Sequence, residues 1–487
     1  EPYRRQRQMC IRDRSFTYNM NRFLKTCSAL ICMTVFFSLT LCDIAAGAFN
    51  FTPVKGKDSE GNLIKLELHS ESAYMVNMDT GDVVIDIDSD KQRSPASLTK
   101  IMTAILLLER FDGDAEQMKK TKYSAGSEAF DELYGTGAST ADIQPGEEVT
   151  CYDLLYALML PSACEAANII AIGVSGSIDE FVDDMNAKAQ QLEMTDSHFS
   201  NAHGLFSDNY TTCRDVAKMC RYALDNYTLF GEVVSTYGYF MSPTDSHPDG
   251  TYIYNTNLML SDDSLYYYSY CRGIKTGTLD SAGRCLASYA VNDGVRYLTV
   301  TMGAPMEKKE EDYKKGEENP NSVFAEDTVY YNLIDHINLY EWAYSYLYEK
   351  EFVDGNSELR EAKVEFGEGN RDYVTLKPDS NLSIYWPSYI DDEEIERKIE
   401  VYDNIVAPVY KGDRLGTLTI SYQGEEISEI PLVATESISR SKISEKKAVA
   451  KAFPKSGEFK IALTAIIIFV VAFIVIHIIC LLYTSPS

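Results

Sequence analysis

Basic residues are scarce in this chain. Its 487 residues include 45 Lys and Arg against 73 Asp and Glu, a formal net charge of −28. Binding phosphates takes clustered Lys and Arg, so a nucleic acid is excluded as the expected partner. None of the eleven cysteines forms a C-x-x-C pair, and that argues against a zinc site. No internal repeat is visible, which excludes a solenoid or propeller. Cys10, Cys27, Cys32, Cys42 and Cys480 fall in terminal segments. The six others, Cys151, Cys164, Cys213, Cys220, Cys271 and Cys285, fit either disulfides in an oxidising compartment or single buried thiols.

Two long apolar runs are present, one near each end. Arg22 and Lys25 precede "SALICMTVFFSLTLC" (Ser28 to Cys42), and Ala46-Gly47-Ala48 follows it. This is the layout of an export signal over residues 20–48, with a mature chain from about Phe49. Residues 1–19 include "EPYRRQRQMCIRDR", which resembles translated adapter read-through and is set aside as a non-native leader. The end of the chain, "CLLYTSPS", resembles the same material, and residues 483–487 are set aside as a non-native tail. The second run, "IALTAIIIFVVAFIVIHIICLL", carries no charge and is long enough to span a bilayer. It predicts a transmembrane anchor over 460–482 and places the chain at the cell membrane with its main domain outside.

Between these runs the patterning is α+β. "SAYMVNM" and "DVVIDID" flank the turn residues Asp79-Thr80-Gly81 as a hairpin. A mostly helical stretch follows from Ser94 to about Asp225. "GIKTGTL", "RCLASYAV" and "RYLTVTMGA" then read as strands, two of them joined at Asn292-Asp293-Gly294. Strands at both ends with helices between predict one antiparallel sheet assembled from distant segments and covered by helices. That domain would run over 49–350. A small all-β domain is expected over 351–437, then a polar linker over 438–459.

Three short motifs carry chemistry. In "RSPASLTKIM" the pair Ser94-Pro95 reads as an N-cap and first helical residue. Leu98, Ile101, Met102 and Ile105 then form one apolar helix face. Ser97 falls in the first turn with Lys100 one turn on, so the amine can reach the hydroxyl. A serine needs a base to act as a nucleophile, and a desolvated lysine can serve. The second motif, Ser162-Ala163-Cys164, follows Pro161; Ser162 with Glu165 also reads as a simple capping box. The third, Lys275-Thr276-Gly277, sits in a strand, where it offers a charge, a hydroxyl and a glycine that lets a substrate backbone approach.

The order S-x-x-K, S-x-x, K-T-G over residues 97–277 resembles the signature set of the penicillin-recognising serine enzymes. "QPGEEVTCYDLLYALMLPSACEAAN", "NAHGLFSDNYTT", "YNTNLML" and "KTGTLDSAGRC" resemble the exported serine-type D-alanyl-D-alanine carboxypeptidases, and "APVYKGDRLGTLTISYQGEEISEIPLVATESI" resembles that family's C-terminal domain. The resemblance implies a β-lactamase/transpeptidase-like fold. It implies that Ser97 attacks the D-Ala-D-Ala bond of a peptidoglycan stem peptide and that Lys100 accepts its proton. Ser162 would relay a proton to the leaving D-alanine. Lys275 and Thr276 would hold the substrate carboxylate, with Gly277 between them and the oxyanion-binding backbone N–H of Thr278; the N–H of Ser97 would be the second donor. A β-lactam would acylate the same serine, and no metal or cofactor is implied.

Cys164 departs from the asparagine usual in the middle motif. A thiol donates and accepts hydrogen bonds only weakly, and Cys164 is counted among the substrate-binding positions on the resemblance alone. His203, in "NAHGL", is given no catalytic role. Two alternatives stand beside the carboxypeptidase: a serine β-lactamase, for which no E-x-x-x-N loop is visible, and a non-catalytic penicillin-binding sensor, suggested by Cys164.

Overall fold

The computed structural model describes residues 68–443 and 456–483, together with 56, 57, 63, 64, 66, 446, 447 and 454. The leader, the export signal, the last four residues and most of the linker lie outside the described residues.

Strands β1 (Ser72–Asn77) and β2 (Val83–Ile87) form the expected hairpin. Its turn is built by Asn77, whose side-chain oxygen accepts the N–H groups of Asp79 and Thr80, and by Gly81 at φ +84°. Helices α1 (Lys100–Arg110), α2 (Cys151–Met159), α3 (Cys164–Ser175), α4 (Ile178–Gln191) and α5 (Cys213–Asn226) follow. A short hairpin, β3 (Gly238–Met241) with β4 (Thr251–Tyr254), leads to β5 (Cys271–Leu279), β6 (Gly283–Asn292) and β7 (Val295–Ala304). Asp293 and Gly294 make the two-residue β6–β7 turn, both with positive φ, as a mirror-image turn requires.

The five long strands form one antiparallel sheet in the order β2-β1-β7-β6-β5. Strand β1 thus closes against β7, across roughly two hundred intervening residues (Tyr74 opposite Val300, Val76 opposite Leu298). Every residue of β1 is buried, so the central strands read as nearly continuous apolar runs. Tyr74, Val76, Leu298 and Val300 pack toward the helices. Ala73, Met75, Leu286 and Tyr297 pack on the other face, against α6 (Tyr331–Tyr346).

The α1 helix differs from its sequence reading. All nine residues from Lys100 to Leu108 are buried, not one face alone. A helix apolar all round is a core helix, and α1 packs against α2, α3, α4 and α5. Ser94 does not cap it either. A 3₁₀ turn over Ala96–Thr99 precedes α1, and the Ser94 hydroxyl has no partner.

The C-terminal part begins at β8 (Leu347–Val353) and continues through β9 (Arg360–Lys363), β10 (Tyr373–Pro378), β11 (Leu382–Pro387), β12 (Ile395–Val401), β13 (Arg414–Tyr422) and β14 (Glu425–Ala434). Five of these make an antiparallel sheet in the order β9-β10-β14-β13-β12, while β8 pairs with β11. Its core, with Trp386, Leu376 and Ile420 fully buried, is continuous with the α6 face of the first sheet. Helix α7 (Gly457–Tyr483) is uncharged beyond its first turn and long and apolar enough to cross a membrane.

One buried carboxylate ties the chain's start to α6. Asp335 is fully buried and accepts from the backbone N–H and ring nitrogen of His69 and from the N–H and hydroxyl of Ser70, at 2.6–2.9 Å. Asp335→Ala would orphan two backbone donors, each costing about 1–3 kcal/mol. We expect a loss of roughly 2–4 kcal/mol in urea unfolding, with the unfolding slope unchanged.

Candidate active site

The three motifs converge at the junction of the helices and the β5 edge of the sheet. The segment entering the first motif is pinned by a two-way backbone bridge, Arg93 N–H to Thr211 O and Thr211 N–H to Arg93 O. Ala96 then takes φ +48°, a strained conformation for a residue with a Cβ. The strain is held by close packing on both sides. Gly204 lies so near that a Cβ there would stand 1.9 Å from the Ala96 carbonyl oxygen. A Cβ on Gly277 would stand 2.9 Å from the Pro95 carbonyl and 3.3 Å from Ser97 N. The glycine of the third motif therefore has a different first use from the one its sequence suggested: it admits the chain's own Pro95–Ser97 segment. It also sets β5 beside the Ser97 N–H, one residue before Thr278.

Lys100 is fully buried one turn beyond Ser97. Its Nζ donates to Ser97 Oγ at 3.1 Å, to the His203 carbonyl at 2.7 Å and to Cys164 Sγ at 3.4 Å. Burial lowers its pKa, against the opposing pull of Cys164 and Glu165. Lys275 is likewise fully buried, and its Nζ donates to the neighbouring Thr276 carbonyl at 3.2 Å. Its pKa falls well below the ordinary lysine value through desolvation and then through the charge of Lys100. Two amines so placed resist being charged together.

Ser162 is buried at φ +67°, and among the described residues its hydroxyl has no hydrogen-bond partner. The capping box read from the sequence does not form. Ala163 occupies the N-cap position of α3, and Glu165 turns away to accept from the Thr140 hydroxyl and the Ala141 N–H, both at 2.7 Å. That carboxylate is buried, which raises its pKa despite those bonds. It holds the loop carrying Ser139, whose carbonyl accepts the Cys164 N–H.

These groups open onto a cleft of about 360 Å³. Ser97, Ser162, Thr276 and Thr278 line it; Lys100, Cys164 and Lys275 lie behind that surface. Thr276 and Thr256 share a hydrogen bond at 2.6 Å. The sequence reading missed Ser139, Thr256, Arg284, Tyr330 and Asn332 on the walls. Two had a readable signal: Arg284 sits across a short turn from Thr278 in the β5–β6 hairpin, its register partner, and Thr256 lies in "YNTNLML". The other three stand on segments with no pattern linking them to the motifs.

His203 enters through its backbone, in keeping with the absence of a catalytic assignment. Its ring is fixed by Glu132 at Nε2 (2.9 Å) and by the Leu205 N–H at Nδ1 (3.0 Å), so Nδ1 is the acceptor and Nε2 carries the proton. Burial and the Lys100 charge lower its pKa. The six cysteines from Cys151 to Cys285 are free and buried.

Comparisons with known proteins give the family and the fold. The model of the D-alanyl-D-alanine carboxypeptidase family matches residues 58–306, and that of the penicillin-binding protein 5 C-terminal domain matches 348–440. The chain is 28% identical over 409 residues to D-alanyl-D-alanine carboxypeptidase DacF of Bacillus subtilis, covering 84% of this chain and 94% of that one. It is 32% identical over 285 residues to a D-alanyl-D-alanine carboxypeptidase of Streptomyces sp. strain K15, covering 56% and 92%. In fold it matches the crystal structure of the carboxypeptidase DacD from Francisella tularensis, with a TM-score of 0.59 at 22% identity over 83% of this chain and 98% of that one. The chain belongs to the serine-type D-alanyl-D-alanine carboxypeptidases, the penicillin-binding proteins of low molecular mass.

Proposed function

We propose that the protein releases the terminal D-alanine from peptidoglycan stem pentapeptides through an acyl-enzyme on Ser97. The observation that carries this is the 3.1 Å bond from a buried lysine amine to the Ser97 hydroxyl. Burial depresses the pKa of Lys100, and in its neutral form the amine can take the Ser97 proton. The hydroxyl then attacks the carbonyl between the two D-alanines. The developing oxyanion rests on the N–H groups of Ser97 and Thr278, which Gly277 brings together. Ser162, whose hydroxyl has no competing partner, passes a proton toward the departing D-alanine nitrogen. Lys275 sets the potential for that relay, and water releases the acyl group. A β-lactam follows the same path to a longer-lived ester. Catalysis, unlike a purely sensory role, requires a base in reach of the nucleophile, and Lys100 is in reach.

We further propose that the ectodomain works outside the cell, delivered by the signal over 20–48 and held by α7. Deleting residues 457 onward should yield soluble protein that still releases D-alanine from a pentapeptide. Continued pelleting with membranes would mean that another element holds it.

Ser97→Ala should abolish both D-alanine release and covalent labelling by a fluorescent penicillin; unchanged labelling would remove the nucleophile. The acylation rate of the wild type should rise with pH as Lys100 deprotonates, with a midpoint below that of a solvated lysine. Lys100→Arg, which cannot deprotonate in this range, should lose that limb and at least about 10²-fold in rate.

The Cys164 thiol is the weakest of the three acceptors around the Lys100 amine. Replacing it by an amide adds one better hydrogen bond, worth about 0.5–1.5 kcal/mol. Cys164→Asn should therefore preserve penicillin acylation or raise it up to about tenfold. Loss of acylation in that variant would assign the thiol a specific role.

A further inference from the structure

We propose that the outer face of the β3–β4 hairpin is a docking ledge for the glycan strand of peptidoglycan, a role that rests on the carboxypeptidase reading above. The hairpin pairs Phe240 with Tyr252 and Gly238 with Tyr254, so these four residues share one face. Phe240, Tyr252 and Tyr254 are 52–56% exposed there. Three such rings on one short hairpin make an apolar patch of the kind that marks a binding surface. They form a continuous row. Ring centres lie 6.4 Å apart from Phe240 to Tyr252 and 4.8 Å from Tyr252 to Tyr254, with Tyr237 5.8 Å beyond. A Cβ on Gly238 would stand 2.6 Å from the Tyr252 hydroxyl, and one on Gly250 would stand 2.6 Å from the tip of the Phe240 ring. The two glycines thus give these rings room to lie across the hairpin. The opposite face is locked to the core: Tyr239 stacks on Tyr156 at 3.7 Å, its hydroxyl donates to Asp153 at 2.7 Å, and Met241 and Ile253 are buried. The ledge is therefore preformed, which keeps the cost of ordering it low.

Two observations choose the occupant. The first is continuity with the cleft. Burial alternates along β4 and past its end: Ile253, Asn255 and Asn257 are buried, while Tyr252, Tyr254 and Thr256 are exposed. The exposed face that carries the rings therefore runs on to Thr256, which lines the cleft and bonds to Thr276. Tyr254 and Tyr252 precede Thr256 by two and four residues, at most about 7 and 14 Å of chain. In a stem pentapeptide the acylated D-alanine is the fourth residue, and the first is joined to a sugar of the glycan strand. That sugar lies at most about 14 Å from the reacting carbonyl, within reach of the row. The second observation is charge. Strands β3 and β4, GYFM and TYIY, carry no ionisable group but tyrosine, in a chain of net charge −28. A neutral partner suits such a face. The sugars of a glycan strand whose lactyl groups are joined to peptides are uncharged. Each has an apolar C–H face that stacks on an aromatic ring, and a rim of hydroxyl and acetamido groups that the tyrosine hydroxyls can meet.

The test compares D-alanine release from a free pentapeptide and from the same pentapeptide linked to its disaccharide, using the detergent-solubilised full chain. Wild type should show a KM for the linked substrate about tenfold below that for the free one, equivalent to about 1.4 kcal/mol. Phe240→Thr/Tyr252→Thr removes two rings outside the cleft and keeps good strand formers. It should bring the two KM values to within about twofold of each other, the spread expected of uncoupled sites, with kcat and the free-peptide KM unchanged. Phe240→Tyr/Tyr252→Phe, which keeps both rings, should retain the advantage of the linked substrate. Equal KM values in the wild type, an advantage that survives in the threonine variant, or an equal loss on both substrates would overturn the ledge and leave the carboxypeptidase reading standing. Equal KM values together with a wild-type dimer that the threonine variant splits would give the face to a second copy of the chain instead. A wild type that releases D-alanine from neither substrate would remove the carboxypeptidase reading, and the ledge with it.

Discussion

A single nitrogen organises this molecule. Lys100 Nζ is withdrawn from water and hydrogen-bonds to Ser97, Cys164 and the His203 carbonyl, three groups spread over more than a hundred residues of sequence. Burying a charged amine costs several kcal/mol unless it is paired or gives up its proton. No carboxylate pairs with it directly. The amine is instead held by a hydroxyl, a thiol and a carbonyl, partners compatible with a neutral or a charged state. That balance suits a base, because an ion pair would lock the proton on. The surrounding structure serves to keep the balance: α1 is sunk into the core so that its first residue is dry, and Glu132 fixes the His203 ring so that its carbonyl stays aimed.

The strain around that nitrogen has a common origin. Ala96 and Ser162, each one or two residues from a motif side chain, both adopt positive φ. Such a conformation costs of order 1–3 kcal/mol for a residue with a Cβ. Both sites sit where the chain must turn sharply just before a helix, Ala96 at the start of the turn into α1 and Ser162 between α2 and α3. The cores around them offset this cost: Leu98, Ile101 and Met102 behind Ala96, and Ala163, Ala166 and Ala167 behind Ser162, are completely buried. Burying one leucine-sized side chain contributes about 1.5–3 kcal/mol and one methyl-sized group about 0.8 kcal/mol, so one residue of the first cluster, or the three alanines of the second together, match this cost.

Much of this was legible before any coordinates. Alternation and turn residues marked β1, β2 and β5–β7, and their distance in sequence predicted the closed sheet. S-x-x-K spacing placed an amine on a hydroxyl, and the structure has that bond. What could not be read were features set by tertiary contact. Ser94 looked like a cap because Ser-Pro begins many helices, yet the 3₁₀ turn and the positive φ at Ala96 are imposed by Gly204 and β5 from elsewhere in the chain. Ser162 with Glu165 satisfied a capping-box spacing, yet the carboxylate finds better donors in the Thr140–Ala141 loop. Gly277 reads in the sequence as room for a substrate backbone, and the structure adds a close approach of the chain's own Pro95–Ser97 segment. At Ser94 and Ser162 the local pattern was sound, and a long-range contact decided the geometry.

The arrangement also accounts for how a thiol can stand where a stronger hydrogen-bonding group would be expected. Cys164 Sγ sits 3.4 Å from the amine and 3.9 Å from the Ser162 carbonyl, nearly sealed from solvent. An amide at this place would add donors and acceptors, each needing a partner in a dry site. A thiol makes few demands, and the two strong bonds of Lys100, to Ser97 and to the His203 carbonyl, already fix the amine without it. The position therefore tunes how firmly Lys100 is held more than whether it is held. Beside it, the β5 edge and its neighbour β6 carry Thr276, Thr278 and Arg284 along one wall of the cleft.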